Sequence, residues 1–327
     1  MPPGGAGEVF AALNRGKRSI VLDLKTPAAL QAVRRLIHQM DVLVEGFRPG
    51  ILDRLGLGHQ QLLADFPRLV VCAISGFGQT GPDRLRAGHD LGYQARAGLL
   101  GLGGRGGAPA MPGGQVADIG GSWVAVAGIL AALLERGKTG RGRLVDVALA
   151  EVGTSFLQLD LGAVTRAAPV PVAGQGALDG GLPSYGLYRT ADGRWLAVAA
   201  LEPHFFAALC KRLGLPDLTA EAYGGGEPAE RVRRTLTDTF ASAPLANWEE
   251  RLAGLDACVE PVHRVDEVLA DPQFRARGLF PGQGLLATPL RLAPPLNRPA
   301  PALGEHTRQV LAEAGLNPTE IQALSLP

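Results

Sequence analysis

The chain has 327 residues, 46% of them hydrophobic and 19% charged, enough to bury a substantial core in one large domain or two unequal ones. Lys and Arg number 32 against 31 Asp and Glu, so the formal net charge of +1 offers no global attraction to nucleic acid or to an anionic membrane, and any anion binding has to be local. Three widely spaced cysteines, Cys72, Cys210 and Cys258, form no Cys-x-x-Cys pair, which argues against a disulfide framework or a structural zinc site and fits a reducing cytoplasm.

The opening MPPGGAGEVF has no basic region followed by an apolar core, and no uninterrupted apolar run reaches about 18 residues, so neither a signal peptide nor a membrane span is expected. Three β-rich runs come next: SIVLDL (Ser19 to Leu24), DVLVEGF (Asp41 to Phe47) and LVVCAISGFG (Leu69 to Gly78). Between the first two, TPAALQAVRRLIHQM has apolar residues at helical spacing behind a Thr-Pro start. A second helix is expected around Leu52 to Asp65. Alternating strands and helices predict a Rossmann-like parallel sheet, whose ligands bind beyond the carboxyl ends of the strands, here DLKT, EGFRPG and SGFGQTGP.

GLGGRGGAPAMPGG, Gly101 to Gly114, reads as a loop, and the apolar run WVAVAGILAALL, Trp123 to Leu134, as a buried helix. Its GRGG does not follow a strand in the dinucleotide-binding pattern and is a weak phosphate-loop signal. GRLVDVALAEV predicts a strand entering a helix, and PSYGLYRTADGRWLAVAAL a hairpin turning at ADG. Helices follow, then a Pro-rich connection from Pro281 to Pro301 and a helical C-terminal stretch. The fold class is α/β: a large domain over 1–180, a smaller α+β domain over 181–280, and a segment, 281–327, returning to the large domain.

The motifs NRGKRSIVLDLKT, DVLVEGFRPGILDRLGLG, ISGFGQTGP and ILAALLERGKTGRGRLVDVAL resemble those of the class III CoA-transferase superfamily. GHD at Gly88 to Asp90, LDGGLPSYGLYRTADGRWLAVAALEPHFF from Leu178, and DACVEPV from Asp256 resemble its α-methylacyl-CoA racemase branch. The resemblance runs through essentially the whole chain and implies the class III CoA-transferase fold, an interlocked homodimer and an acyl-CoA substrate. It implies no separate cofactor, because CoA is part of the substrate, and the sequence itself offers no metal-ligand cluster. The family also has an opening strand, helix and strand ahead of the segment matching Phe10 onward, which supplies a sheet strand and a basic contact to CoA.

Moving a proton between the two faces of an α-carbon requires two acid/base groups, one on each side, and His and carboxylates suit because environment brings their pKa values near the operating pH. By resemblance His89 is the imidazole of one face and Asp118 the carboxylate of the other. Glu202 matches the acid that orients and charges the imidazole, and Asp90 is a structural partner at the site rather than a proton carrier. Taken alone, Asp118 is more simply a helix N-cap, Glu202 ahead of Pro203 a first-turn acid, and nothing singles out His89 among six histidines. By the same resemblance Lys25, Arg54, Gly46 and Phe47 line the CoA site, with Leu22 beneath the adenine and Tyr93 near the pantetheine or acyl end; without the motif, Lys25 and Arg54 read as solvated helix-end charges.

Two other readings stand beside a racemase. CoA transfer through an aspartyl-CoA thioester uses the same Asp118 as nucleophile, but such transferases usually carry Tyr at the position of His89 and need no second proton carrier. A CoA-binding protein without catalysis is the third.

Overall fold

The computed structural model describes residues 5–104, 108–280, 282, 286 and 298–324. The chain divides into two compact units: Met1–Tyr93, Ala117–Val152 and Leu269–Pro327 form the first, and Gln94–Val116 with Gly153–Val268 the second. The second unit contains most of the segment expected as a small domain and reaches further toward the N-terminus.

In the first unit three strands, β1 (Val42–Glu45), β2 (Val70–Ser75) and β3 (Leu144–Ala148), form a parallel sheet in the order β1-β2-β3. β2 is covered on both faces, which is why its sequence is apolar without alternation. Val71 packs with Ile37, Leu52 and Leu62 on one face, and Cys72 with Ala125, Val147 and Val152 on the other. The helix Pro27–His38 begins as its sequence demands: the Thr26 hydroxyl accepts the Ala29 N–H at 3.3 Å, and Pro27 stands where no intrahelical donor is needed.

Three expectations are corrected. Ser19–Leu24 is no strand, because the start of the C-terminal helix Thr307–Glu313 takes its backbone groups. The Ser19 carbonyl accepts from the His306 N–H at 2.9 Å, and the Val21 N–H donates to Thr307 Oγ1 at 3.0 Å. The single helix expected over 52–65 is two, Ile51–Arg54 and His59–Asp65, separated by Gly56 at φ +74°.

The third correction concerns the long helix Val116–Thr139, which is not buried within the chain. Gly121, Ala125, Gly128 and Ala132 make a stripe of small residues at helical spacing, and it is this stripe that meets the sheet. A Cβ added to Gly121 would come within 2.2 Å of Leu149, and one added to Gly128 within 2.6 Å of Val145. Ile119, Trp123, Val126, Leu130 and Leu134 are left exposed. By length and composition alone this helix is also apolar enough to cross a bilayer.

In the second unit β4 (Tyr185–Arg189) and β5 (Trp195–Ala199) form the expected hairpin, turning through Gly193 at φ +80°. A third strand that the sequence reading did not foresee, β6 (Val259–Pro261), pairs antiparallel with β5. Tyr188, Leu196 and Val198 face a core built with Phe206, Leu236, Phe240 and Trp248 from three helices, and the Trp248 indole N–H is satisfied by the Phe240 carbonyl at 2.9 Å.

Candidate active site

Gly76, directly after β2, leaves room for the ring of Tyr93, since a Cβ there would come within 2.5 Å of it; Gly88 abuts the same ring equally closely. Tyr93 is 7% exposed and its hydroxyl donates to the Gly88 carbonyl at 2.7 Å, fixing the loop that carries His89. The His89 carbonyl then accepts from the N–H groups of Gly92 and Tyr93, starting the helix Asp90–Ala97 and leaving the imidazole exposed. Gly76 of SGFG and Gly88 of GHD thus make room for one buried tyrosine.

Asp90 is buried, and its Oδ1 accepts the N–H groups of Ala117 at 2.8 Å and Asp118 at 3.0 Å. Those are first-turn donors of the long helix, so the cap comes from a carboxylate 27 positions earlier in the chain. Asp118 is therefore not the N-cap that its position suggested. Its Oδ1 is buried and has no hydrogen-bond partner among the described residues.

Burial pushes the Asp118 carboxyl above its ordinary range, the Asp90 carboxylate pushes it further, and the His89 imidazole opposes both. Burial also raises the Tyr93 phenol, with Asp118 adding to the effect and Arg48 opposing it. His89, Asp90, Tyr93 and Asp118 thus share one electrostatic neighbourhood in the first unit. A raised carboxyl with one buried, unpartnered oxygen beside an exposed imidazole can exchange protons with a substrate, or attack one.

Glu202 lies in the second unit, exposed, immediately before the helix Pro203–Leu213, whose N-terminus its side chain does not cap. Of the residues expected to hold CoA, Gly46 and Phe47 follow β1 and are exposed, as are Lys25 and Arg54. Leu22 is partly buried against Ala29, Ala32 and Leu311. Sequence reasoning missed the groups that hold these turns. Glu45, buried at the end of β1, accepts the Phe47 N–H at 2.8 Å and stands 3.0 Å from His59 Nε2, while Asp146 of β3 accepts the Gln79 N–H. For Glu45 the available signal was an acid closing the apolar strand VLVE, where a buried charge is not left unpaired; Asp146 in LVDVA is exposed and gave no such signal.

Within the second unit a cavity of about 530 Å³ is lined by Leu178, Asp179, Tyr185, Leu187 and Trp195 among others, and none of the expected site residues borders it.

The family model described as CoA-transferase family III matches residues 1–307. Alpha-methylacyl-CoA racemase of Mus musculus is 39% identical over 98% of this chain and 86% of its own length, and that of Homo sapiens 38% over 99% and 87%. Succinate–glutarate CoA-transferase of Agrobacterium fabrum is 34% identical over 93% and 80%. Among solved structures, a CaiB/BaiF family protein from Brucella suis superposes with a TM-score of 0.79 at 32% identity, covering 93% of this chain and 83% of that one. A fold shared at that level, matched by sequence likeness along nearly the whole length, has one consequence: the chain belongs to CoA-transferase family III.

Proposed function

We propose that the chain is a racemase or epimerase of 2-methylacyl-CoA thioesters, working by proton transfer through an enolate. The observation that carries this reading is the pairing of two different acid/base groups, the His89 imidazole and the Asp118 carboxyl, at one loop–helix junction where Asp90 does the capping and Asp118 Oδ1 has no hydrogen-bond partner among the described residues. Greater identity to racemases than to transferases supports it. The thioester makes the α-proton acidic enough to remove, so CoA is activating group and handle together, and the reaction requires no other cofactor.

For one enantiomer the Asp118 carboxylate takes the α-proton, the C–H electron pair moves into the enolate, and the protonated His89 delivers its own proton to the opposite face. Asp118 ends protonated and His89 neutral; the other enantiomer runs the transfer backwards and restores both. By resemblance Glu202 supports the charged imidazole, and Glu202→Gln is expected to slow exchange on the imidazole's face more than on the carboxylate's. Asp90 and Tyr93 act as positioning residues, and Lys25, Gly46, Phe47 and Arg54 are assigned to CoA. A second copy of the chain is proposed to cover the exposed row from Ile119 to Leu134 on the long helix.

The unpartnered Asp118 Oδ1 also suits a nucleophile, so CoA transfer is the competing reaction. Incubating a 2-methylacyl-CoA with the enzyme in deuterated water separates the two. A racemase exchanges the α-proton with no acceptor acid present; CoA transfer to an added carboxylate without exchange would overturn the racemase reading.

A further inference from the structure

Besides Asp118 Oδ1, two buried side-chain atoms of the first unit have no hydrogen-bond partner among the described residues: Ser75 Oγ and Gln79 Nε2. The proton-transfer pair uses neither. Ser75 ends β2 and is 8% exposed. Side chains alternate along a strand, and Val71 packs toward Leu52 and Leu62 whereas Cys72 packs toward Ala125, so Ser75 points to the face of Val71 and Ala73. On that face Ala73 has Glu45 of β1 on one side and Asp146 of β3 on the other.

Both carboxylates are committed to the turns that follow the strands. Glu45 holds the Phe47 N–H and faces His59; Asp146 holds the Gln79 N–H at 3.0 and 3.3 Å from its two oxygens. That second contact brings Gln79 to the same face and the same end of the sheet as Ser75. The carboxyl edge of the parallel sheet, where such folds take their ligands, therefore presents two fixed turns and two side-chain donors left over. A buried donor without an acceptor is costly, and a ligand acceptor relieves it.

The surroundings select that acceptor. Hydroxyl and primary amide are neutral donors, and the adjoining row carries two carboxylates, a field that opposes a phosphate and tolerates an uncharged carbonyl oxygen. We propose that Ser75 and Gln79 bind an amide carbonyl of the pantetheine arm of the CoA thioester, an assignment that rests on the CoA reading above.

Calorimetric titration of the full chain tests it with two probes: CoA, and adenosine 3′,5′-bisphosphate, which keeps the adenine, the ribose and phosphates but has no pantetheine amide. Ser75→Ala and Gln79→Met, made singly, are each expected to raise the Kd for CoA about 3- to 10-fold, as loss of one neutral hydrogen bond does, with the Kd for the bisphosphate unchanged. Unchanged CoA affinity in both variants overturns the assignment. So does an equal loss for both probes, which marks a phosphate contact or a damaged fold. Should either variant fail to fold, the other carries the same comparison. Failure of the unmodified chain to bind CoA overturns the parent reading and this one together, and is told apart because it precedes any substitution.

Discussion

A carboxylate that caps a helix from another segment frees the acid in that helix's own first turn. Asp90 does this for Asp118, so Asp90→Ala removes the acceptor of two first-turn N–H groups; charge-assisted bonds of this kind predict a loss of about 2–4 kcal/mol in a denaturant titration. Asp90→Asn keeps an acceptor oxygen and should recover part of it. The pH dependence of stability reports on Asp118. Its carboxyl is raised in the folded state, so the stability tied to its protonated form is fully present below the ordinary aspartate value of 3.8 and is lost as the pH rises through the folded value. Asp118→Asn cannot ionise. Relative to the parent protein it should therefore gain thermal stability as the pH rises across that window, and a melting-temperature difference that stays constant would contradict the assignment.

Among the helices the long one, Val116–Thr139, separates its two jobs by residue size. Small residues let the helix axis approach the sheet, and large apolar residues occupy the far side. Gly128→Val inserts a branched side chain where even a Cβ comes within 2.6 Å of Val145, and overpacking of that kind costs about 1–3 kcal/mol. Trp123→Glu, on the exposed row, should change the stability of the isolated chain by no more than about 0.5 kcal/mol. In sedimentation it should shift the particle from two copies toward one. A protein that sediments as one copy before substitution, or that binds lipid vesicles through this helix, would remove the dimer from the account.

At the scale of the whole molecule, the sequence was most readable where a local rule and the tertiary fold agree. β1, β2 and β3 were legible because the central strand of a two-faced parallel sheet has to be apolar throughout, and Thr26-Pro27 announces its helix. Ser19–Leu24 misled because β-propensity describes a half-buried extended chain, whether its backbone partners are a strand or the residues opening a C-terminal helix. The run Trp123–Leu134 misled because hydrophobicity alone does not separate a helix enclosed by its own chain from one that packs through a stripe of small residues and leaves its large apolar side chains exposed. At the site, His89 was reachable only through the motif that contains it. The capping of Asp118 by Asp90 was not legible at all, since nothing local links residues 28 positions apart.

The central claim is that His89 and Asp118 each serve one face of the α-carbon. Enantiomer-resolved deuterium incorporation into a 2-methylacyl-CoA, compared among the parent enzyme, His89→Ala and Asp118→Ala, tests it most directly. The account predicts that each variant loses racemisation and exchange on its own face by about 10²–10⁴-fold while retaining exchange of the other enantiomer. Equal loss for both enantiomers in both variants, or full racemase activity in His89→Ala, would contradict it.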